Sequence, residues 1–329
     1  MNFTLITPSS ELEEFLGIAS SPLVPKYCRC AAEREDKHAT EFMKDSLSQL
    51  NDGTYKVSLP WRKPPTALPN NYDYAKKRLL NLEKQFKLKP REWEVYIKQM
   101  DDQLNRGVAR LVPQSELDQD HADKKGMWFL PHFAVVKDST TTPVRVVLDD
   151  KSRYQGHSLN DYLAKGNSVN SSIFDIGLRF RENEVGVIAD ISKMFQSFKL
   201  SKDDARYHRY LFRSTPDEEI KVYELQTVTF GDKPSPAAAV FALRHIANKH
   251  AHSEIDRVIK KQFYIDDLKD SLRSNSDVGQ LKTDLTGALR EGNLLIRKWL
   301  SNERQICDPE FIPHDGNATA LDARAQRAA

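Results

Sequence analysis

Hydrophobic and polar positions change their period along the chain, and the changes delimit its elements. Ser9 to Ile18 sets a Ser cap ahead of acidic residues and an apolar stripe, which predicts a short helix. A second helix is expected over Asp36 to Leu50, stopped by the turn signal Asn51-Asp52-Gly53, and the alternation from Thr54 to Leu59 predicts a strand. Pro60, Pro64, Pro65 and Pro69 then break the pattern and mark a boundary. Helical spacing resumes from Tyr74 to Phe86, restarts after Pro90 as Glu92 to Asn105, and closes at Gly107. Beyond it the pattern turns β-like. Short runs rich in Val, Ile, Tyr and Phe predict strands over Phe129–Val136, Val144–Leu148, Val185–Ala189, Tyr207–Phe212, Lys221–Thr229 and Gln262–Ile265. Helices are expected beside them over Ser172–Arg181, Pro236–Ala251 and Val278–Arg290, so the core is of mixed α+β or α/β type rather than a bundle.

Composition narrows the classes. A chain of 329 residues, 39% hydrophobic and 29% charged, can bury a full core. No run approaches the roughly 18 apolar residues of a membrane span, and Met1-Asn2-Phe3-Thr4 does not open a secretory signal. With 49 Lys and Arg against 47 Asp and Glu, bulk charge names no partner. Its distribution does more: Lys76, Lys77, Arg78, Lys84, Lys87, Lys89 and Arg91 surround one acid, Glu83, in a stripe that suits a phosphate backbone or a solvated helix face equally well. Cys28, Cys30 and Cys307 form no disulfide framework, which fits a reducing compartment. Cys28-x-Cys30 with His38 lacks a fourth ligand, which argues against zinc there.

Three carboxylates stand out by context. Asp190 ends the apolar run Val185-Gly186-Val187-Ile188-Ala189, and Asp266-Asp267 interrupts Phe263-Tyr264-Ile265. Adjacent aspartates at a tight turn, facing a third from a neighbouring strand, repel one another unless a cation lies between them. Oxygen donors without thiol or imidazole favour Mg²⁺ or Mn²⁺, and a pair of such ions serves in-line phosphoryl transfer. An Asp-Asp pair alone is more often an ordinary turn; its company decides.

Phe263-Tyr264-Ile265-Asp266-Asp267 resembles the Tyr-x-Asp-Asp box of reverse transcriptases, and Ala189-Asp190-Ile191-Ser192-Lys193-Met194-Phe195 is similar to their first metal-binding motif. Thr229-Phe230-Gly231-Asp232-Lys233-Pro234-Ser235-Pro236-Ala237 resembles the segment beneath the templating base, and Leu130 to Lys137 with Arg145 to Asp149 resemble the fingers strands. Leu130-Pro131-His132, Ser158-Leu159-Asn160-Asp161 and Ile296-Arg297-Lys298-Trp299-Leu300-Ser301-Asn302 resemble more narrowly the polyprotein of BEL/Pao long-terminal-repeat retrotransposons.

That resemblance implies an α+β right-hand polymerase fold. Residues 1–65 would be a helical linker region between protease and polymerase. The reverse transcriptase would span 66–306, with fingers to about 185, palm to about 275 and the start of a truncated thumb connection. Residues 307–329 would be an unstructured tail. It further implies an RNA template, a DNA primer and dNTPs as partners, no membrane, and a cytoplasmic setting, free or within virus-like particles. Asp190, Asp266 and Asp267, with the Ile191 carbonyl, would hold two Mg²⁺ ions, Mn²⁺ substituting. Phe195 would be the gate against a ribose 2′-OH. Lys137 and Arg145 would clamp the triphosphate, beside Phe230 and Gly231. Tyr264, Ser235 and Pro236 would face template or primer, and Lys298 or Trp299 would lie on the strand near the primer end.

Three departures stand beside the resemblance. Phe230 replaces the Gln of many retroviral enzymes, Asp149-Asp150-Lys151 replaces the more usual Asp-Ala-Ser, and Phe212 stands where Trp is usual. Two rival readings follow. One is a catalytically inactive, truncated remnant that only binds nucleic acid; the other is an RNA-dependent RNA polymerase, which would usually carry a small or polar residue in place of Phe195.

Overall fold

The computed structural model describes residues 29–123, 126–136, 144–167 and 171–309. The helix expected over Ser9 to Ile18, the side chains of Cys28 and Cys30, Lys137 and the tail beyond residue 309 lie outside the described residues. Helices and strands are mixed along the chain. The first part runs α1 (Arg29–Ser46), β1 (Ser48–Gln49), β2 (Tyr55–Val57), α2 (Tyr72–Phe86), α3 (Pro90–Asn105), β3 (Ala109–Leu111) and α4 (Gln114–Ala122). Then come β4 (His132–Val136), β5 (Val144–Leu148), α5 (Ile173–Arg179), β6 (Val185–Ile191), β7 (Lys199–Leu200), α6 (Lys202–Ala205), β8 (Arg209–Phe212) and β9 (Lys221–Leu225). The last part is α7 (Ser235–Lys249), α8 (Glu254–Lys261), β10 (Phe263–Tyr264), β11 (Asp267–Leu272), α9 (Asn275–Arg290) and β12 (Ile296–Ser301).

Four antiparallel strands in the order β10-β11-β6-β12 form the central sheet. An uninterrupted apolar run suits a strand enclosed on both faces, and every residue of β6 is buried except Asp190. Helix α9 packs on β6 and β11, and α5 packs on β11. Helix α7, rich in alanine, buries ten residues; its small side chains allow close approach to α1 and α8. A second sheet, β3-β9-β8, a β4–β5 hairpin and a small β1-β2-β7 sheet complete the strands.

Several elements differ from expectation. The strand expected over Tyr207–Phe212 begins only at Arg209, because Arg206–His208 turn in a 3₁₀ helix and the His208 Nδ1–H donates to the Asp204 carbonyl. The strand expected to reach Thr229 ends at Leu225. The apolar pattern does not predict β11, β12, α4 or α8, and only the resemblance places a strand at Lys298 or Trp299; charge and polarity interrupt the patterns of Asp267–Leu272 and Ile296–Ser301. Cys307 and Asp308 belong to the fold rather than to a tail: Cys307 is buried, and Asp308 pairs with Lys282 at 2.8 Å. Among the described residues no helix is long and apolar enough to cross a membrane.

His132 ties the β4–β5 hairpin to the second sheet. Its Nε2–H donates to the Leu211 carbonyl at 2.7 Å, and its Nδ1 accepts the Tyr96 hydroxyl. The neutral ring is therefore satisfied, and burial pushes its pKa down to about 4 against the opposing Leu211 bond. A pKa lower when folded than unfolded means that stability is lost as pH falls below about 6.5. Between pH 6.5 and pH 5 the expected loss from this group is about 2 kcal/mol. Urea unfolding at these two pH values should show a smaller loss for His132→Gln than for the wild type; equal losses would contradict this assignment.

Candidate active site

The register of the central sheet sets Asp190 of β6 directly opposite Asp267 of β11. Opposed residues of an antiparallel pair project to one face with Cβ atoms about 5 Å apart. Strand β10 leads into β11 through a tight turn, Tyr264 pairing with Asp267, so Ile265 and Asp266 occupy its corner. Ile265 takes a φ of +60°, a strained value for a β-branched residue, and such strain persists only where surrounding contacts impose it. One such contact runs from the Ile191 N–H to the Asp266 carbonyl at 2.9 Å, fastening the turn to the end of β6. Asp190, Ile191, Asp266 and Asp267 thus meet at one corner of the sheet. The Asp266 carboxyl has its pKa raised, first by burial and then by the neighbouring charges of Asp267 and Asp190, with Lys298 opposing.

Lys298 reaches this corner because β12 carries a bulge. Arg297 pairs with Asp190 but Leu300 pairs with Ile188, so β12 holds one residue more than β6 across that interval. Lys298 takes a φ of +57° within it, and its ammonium forms an ion pair with the Asp190 carboxylate. Hard oxygen donors gathered at a partly buried corner, with the Lys298 ammonium beside Asp190, suit a divalent cation such as Mg²⁺ or Mn²⁺.

Lys193, with φ +52°, turns the chain after β6 into the 3₁₀ segment Met194–Ser197. Phe195 is buried there, and Phe230, which is 66% exposed, meets it edge-on at 4.6 Å between ring centroids. Phe230 and Gly231 also line a cleft of about 800 Å³ with Arg145, Lys98, Arg106, Lys193 and Asp102, and Asp102 pairs with Arg106 at 2.8 Å and Lys193 at 3.4 Å. Arg145, on β5, is exposed toward it.

Other expected site residues lie elsewhere. Trp299 is 2% exposed, under Lys282 at 5.5 Å, and is a core residue with no free face for a primer. Ser235 is fully buried at the start of α7, so its side chain does not face a template, while Pro236 beside it is half-buried. Tyr264 is partly exposed on the hairpin. Lys137 lies outside the described residues.

A second cluster escaped notice in the sequence. Among the described residues, the group whose ligand atoms lie within 4.8 Å of one another is not the aspartate trio but Asp150, His208 and Asp232. Its signal was the unusual Asp150, although nothing in the sequence joined it to two residues far downstream.

No known family model matches the chain, and no curated protein matches it. Solved structures do. A foamy viral protease-reverse transcriptase in complex with RNA/DNA hybrid is 17% identical over 66% of this chain and 27% of its own, with a TM-score of 0.45. A Prototype Foamy Virus protease-reverse transcriptase CSH mutant is 16% identical over 64% and 24%, with a TM-score of 0.47. A foamy viral protease-reverse transcriptase dRH in complex with double-stranded DNA is 14% identical over 62% and 31%, with a TM-score of 0.41. The chain therefore spans less than a third of each of those chains.

Gly231 allows the closest approach at the cleft, since a Cβ built on it would lie 1.4 Å from Asp150 Oδ2. Gly231→Ala is expected to destabilise the fold by about 3 kcal/mol or more. Adding Asp150→Ala should restore part of the loss. Thermal unfolding of the single and double variants checks this; an unchanged melting temperature for Gly231→Ala would contradict the packing.

Proposed function

We propose that this chain carries the polymerase domain of a reverse transcriptase of the BEL/Pao retrotransposon type, copying RNA into DNA from dNTPs on a DNA primer. The observation that carries the proposal is the pairing of Asp190 with Asp267 across the central sheet, with Asp266 at the adjoining turn. In this reading the corner belongs to the palm, and the β4–β5 hairpin to the fingers.

Asp190, Asp266, Asp267 and the Ile191 carbonyl would hold the catalytic cations, Mg²⁺ or Mn²⁺. When bound, such ions lower the pKa of an attacking hydroxyl and stabilise charge on the reacting phosphate. The remaining work falls to the chain's own side chains. Asp190 and Asp267 stand on strand backbone and so present their carboxylates rigidly. Arg145 offers the triphosphate a planar fork from the wall of the cleft. Phe195, buried beneath the exposed Phe230 ring, fills the space that a ribose 2′-OH would need, so deoxynucleotides are selected by a clash. The primer 3′-OH attacks the α-phosphate, pyrophosphate leaves, and positioning together with charge stabilisation supplies most of the acceleration.

The basic stripe supports a nucleic-acid partner. Its single acid, Glu83, is buried and pairs with Arg213 at 2.7 Å, while Lys76, Lys77, Lys84, Lys87 and Lys89 remain exposed on or beside α2. Exposed positive charges of this kind attract phosphate in a salt-dependent manner, although Lys89 also pairs with Glu92 at 3.4 Å.

Primer extension on poly(rA)/oligo(dT) with Mg²⁺ or Mn²⁺ tests the proposal. The wild type should incorporate dTMP, and Asp266→Asn should lower the rate at least about a hundredfold. Equal incorporation by both would refute it, and salt-dependent RNA binding without extension by the wild type would favour the inactive remnant. In the same assay Phe195→Val should raise rNTP use about tenfold while leaving dNTP use largely intact. Unchanged sugar discrimination in a folded Phe195→Val would make Phe195 a core residue only.

A further inference from the structure

Asp150, in the turn after β5, His208, in the 3₁₀ turn before β8, and Asp232, in the loop before α7, converge in the interior. None is more than 2% exposed. Asp232 Oδ2 lies 2.9 Å from His208 Nε2, but Asp232 Oδ1 and both carboxylate oxygens of Asp150 are buried without a hydrogen-bond partner. Three orphaned acceptors on two neighbouring carboxylates call for a positive or proton-donating group.

Protons alone answer poorly. Burial and the charge of Asp232 push the Asp150 carboxyl well up, and although burial alone would lower it, Asp232 holds the His208 pKa up at about 9. A protonated Asp150 and a charged imidazole would balance the charge, yet one O–H can serve only one further oxygen, so at least one of the buried acceptors would still lack a partner. One divalent cation beside a neutral imidazole balances two carboxylates and engages the orphaned oxygens together. The imidazole is prepared for this, because its Nδ1–H donates to the Asp204 carbonyl at 3.0 Å, which leaves the Nε2 lone pair directed into the cluster. One nitrogen and two carboxylates without a thiolate suit Zn²⁺, Mn²⁺ or Fe²⁺ better than Mg²⁺ or Ca²⁺.

We infer that Asp150, His208 and Asp232 form a buried structural site for a divalent transition-metal ion, separate from the aspartate trio on β6 and β11. The site fastens three segments that lie far apart in sequence. Asp150 Oδ2 lies against Gly231, next to Asp232, so an ion held there fixes the Phe230–Gly231 turn and with it the ring that covers Phe195. The departure at Asp150 thereby gains a role. Because the ligands are enclosed, the ion enters as the chain folds.

The full chain, refolded from denaturant with Zn²⁺ and passed through gel filtration, should retain one equivalent of zinc. So should the variant carrying Asp190→Asn, Asp266→Asn and Asp267→Asn, which removes the other carboxylate corner. Asp150→Asn should retain none. X-ray absorption at the zinc edge of the wild type should show one imidazole with oxygen donors, a readout that stands even where Asp150→Asn fails to fold. No retained zinc in the wild type, zinc retained equally by a folded Asp150→Asn, or sulfur among the ligands would each overturn the inference. The outcome is independent of primer extension, since the trio variant tests the site without the polymerase.

Discussion

Mutual repulsion among Asp190, Asp266 and Asp267 is the constraint around which the central sheet is organised. Strand pairing brings Asp190 and Asp267 side by side, and the turn adds Asp266, partly buried and with its carboxyl pKa raised. Such crowding is costly in the interior and is tolerable at a strand end, where solvent and a counter-charge can reach. Lys298 supplies that counter-charge by way of a bulge that swings one residue of β12 out of register. A metal ion bound at this corner would compete with the lysine for Asp190.

The surroundings hold this corner rigid. Enclosure of β6 by α9 and its two neighbouring strands leaves Asp190 little freedom, and the Ile191–Asp266 hydrogen bond couples the hairpin turn to the strand end. Beyond the end of β6, Phe195 lies under Phe230, whose turn packs against Asp150. The buried Asp150, His208 and Asp232 cluster thus stands behind the wall that faces the nucleotide in the proposed mechanism. The two charged clusters differ in access: the corner of Asp190, Asp266 and Asp267 is partly buried, and that of Asp150, His208 and Asp232 is enclosed.

Much of this corner could be read from residues alone. Asp190 and Asp266-Asp267 stood out because apolar runs of strand length delivered them, and those runs became β6 and β10. Strands β11 and β12 were not legible: Lys269 and Asp270 interrupt one, and Arg297 with Lys298 interrupts the other, so neither shows clean alternation. The Lys298 contact depends on a bulge, and a bulge is a property of the paired strands rather than of either sequence. Trp299 and Ser235 were expected at a surface and are buried, since a motif fixes neighbours in sequence but not which face they turn to. The Asp150 cluster assembles only when three separated segments pack, so single-residue context carried at most a hint of it.

Anomalous diffraction from crystals of the full chain grown with Mn²⁺ addresses the central claim most directly. A manganese peak bounded by the carboxylates of Asp190, Asp266 and Asp267, with the Lys298 ammonium displaced from Asp190, is the predicted result. Absence of manganese at that corner, with Lys298 still paired to Asp190, would contradict it.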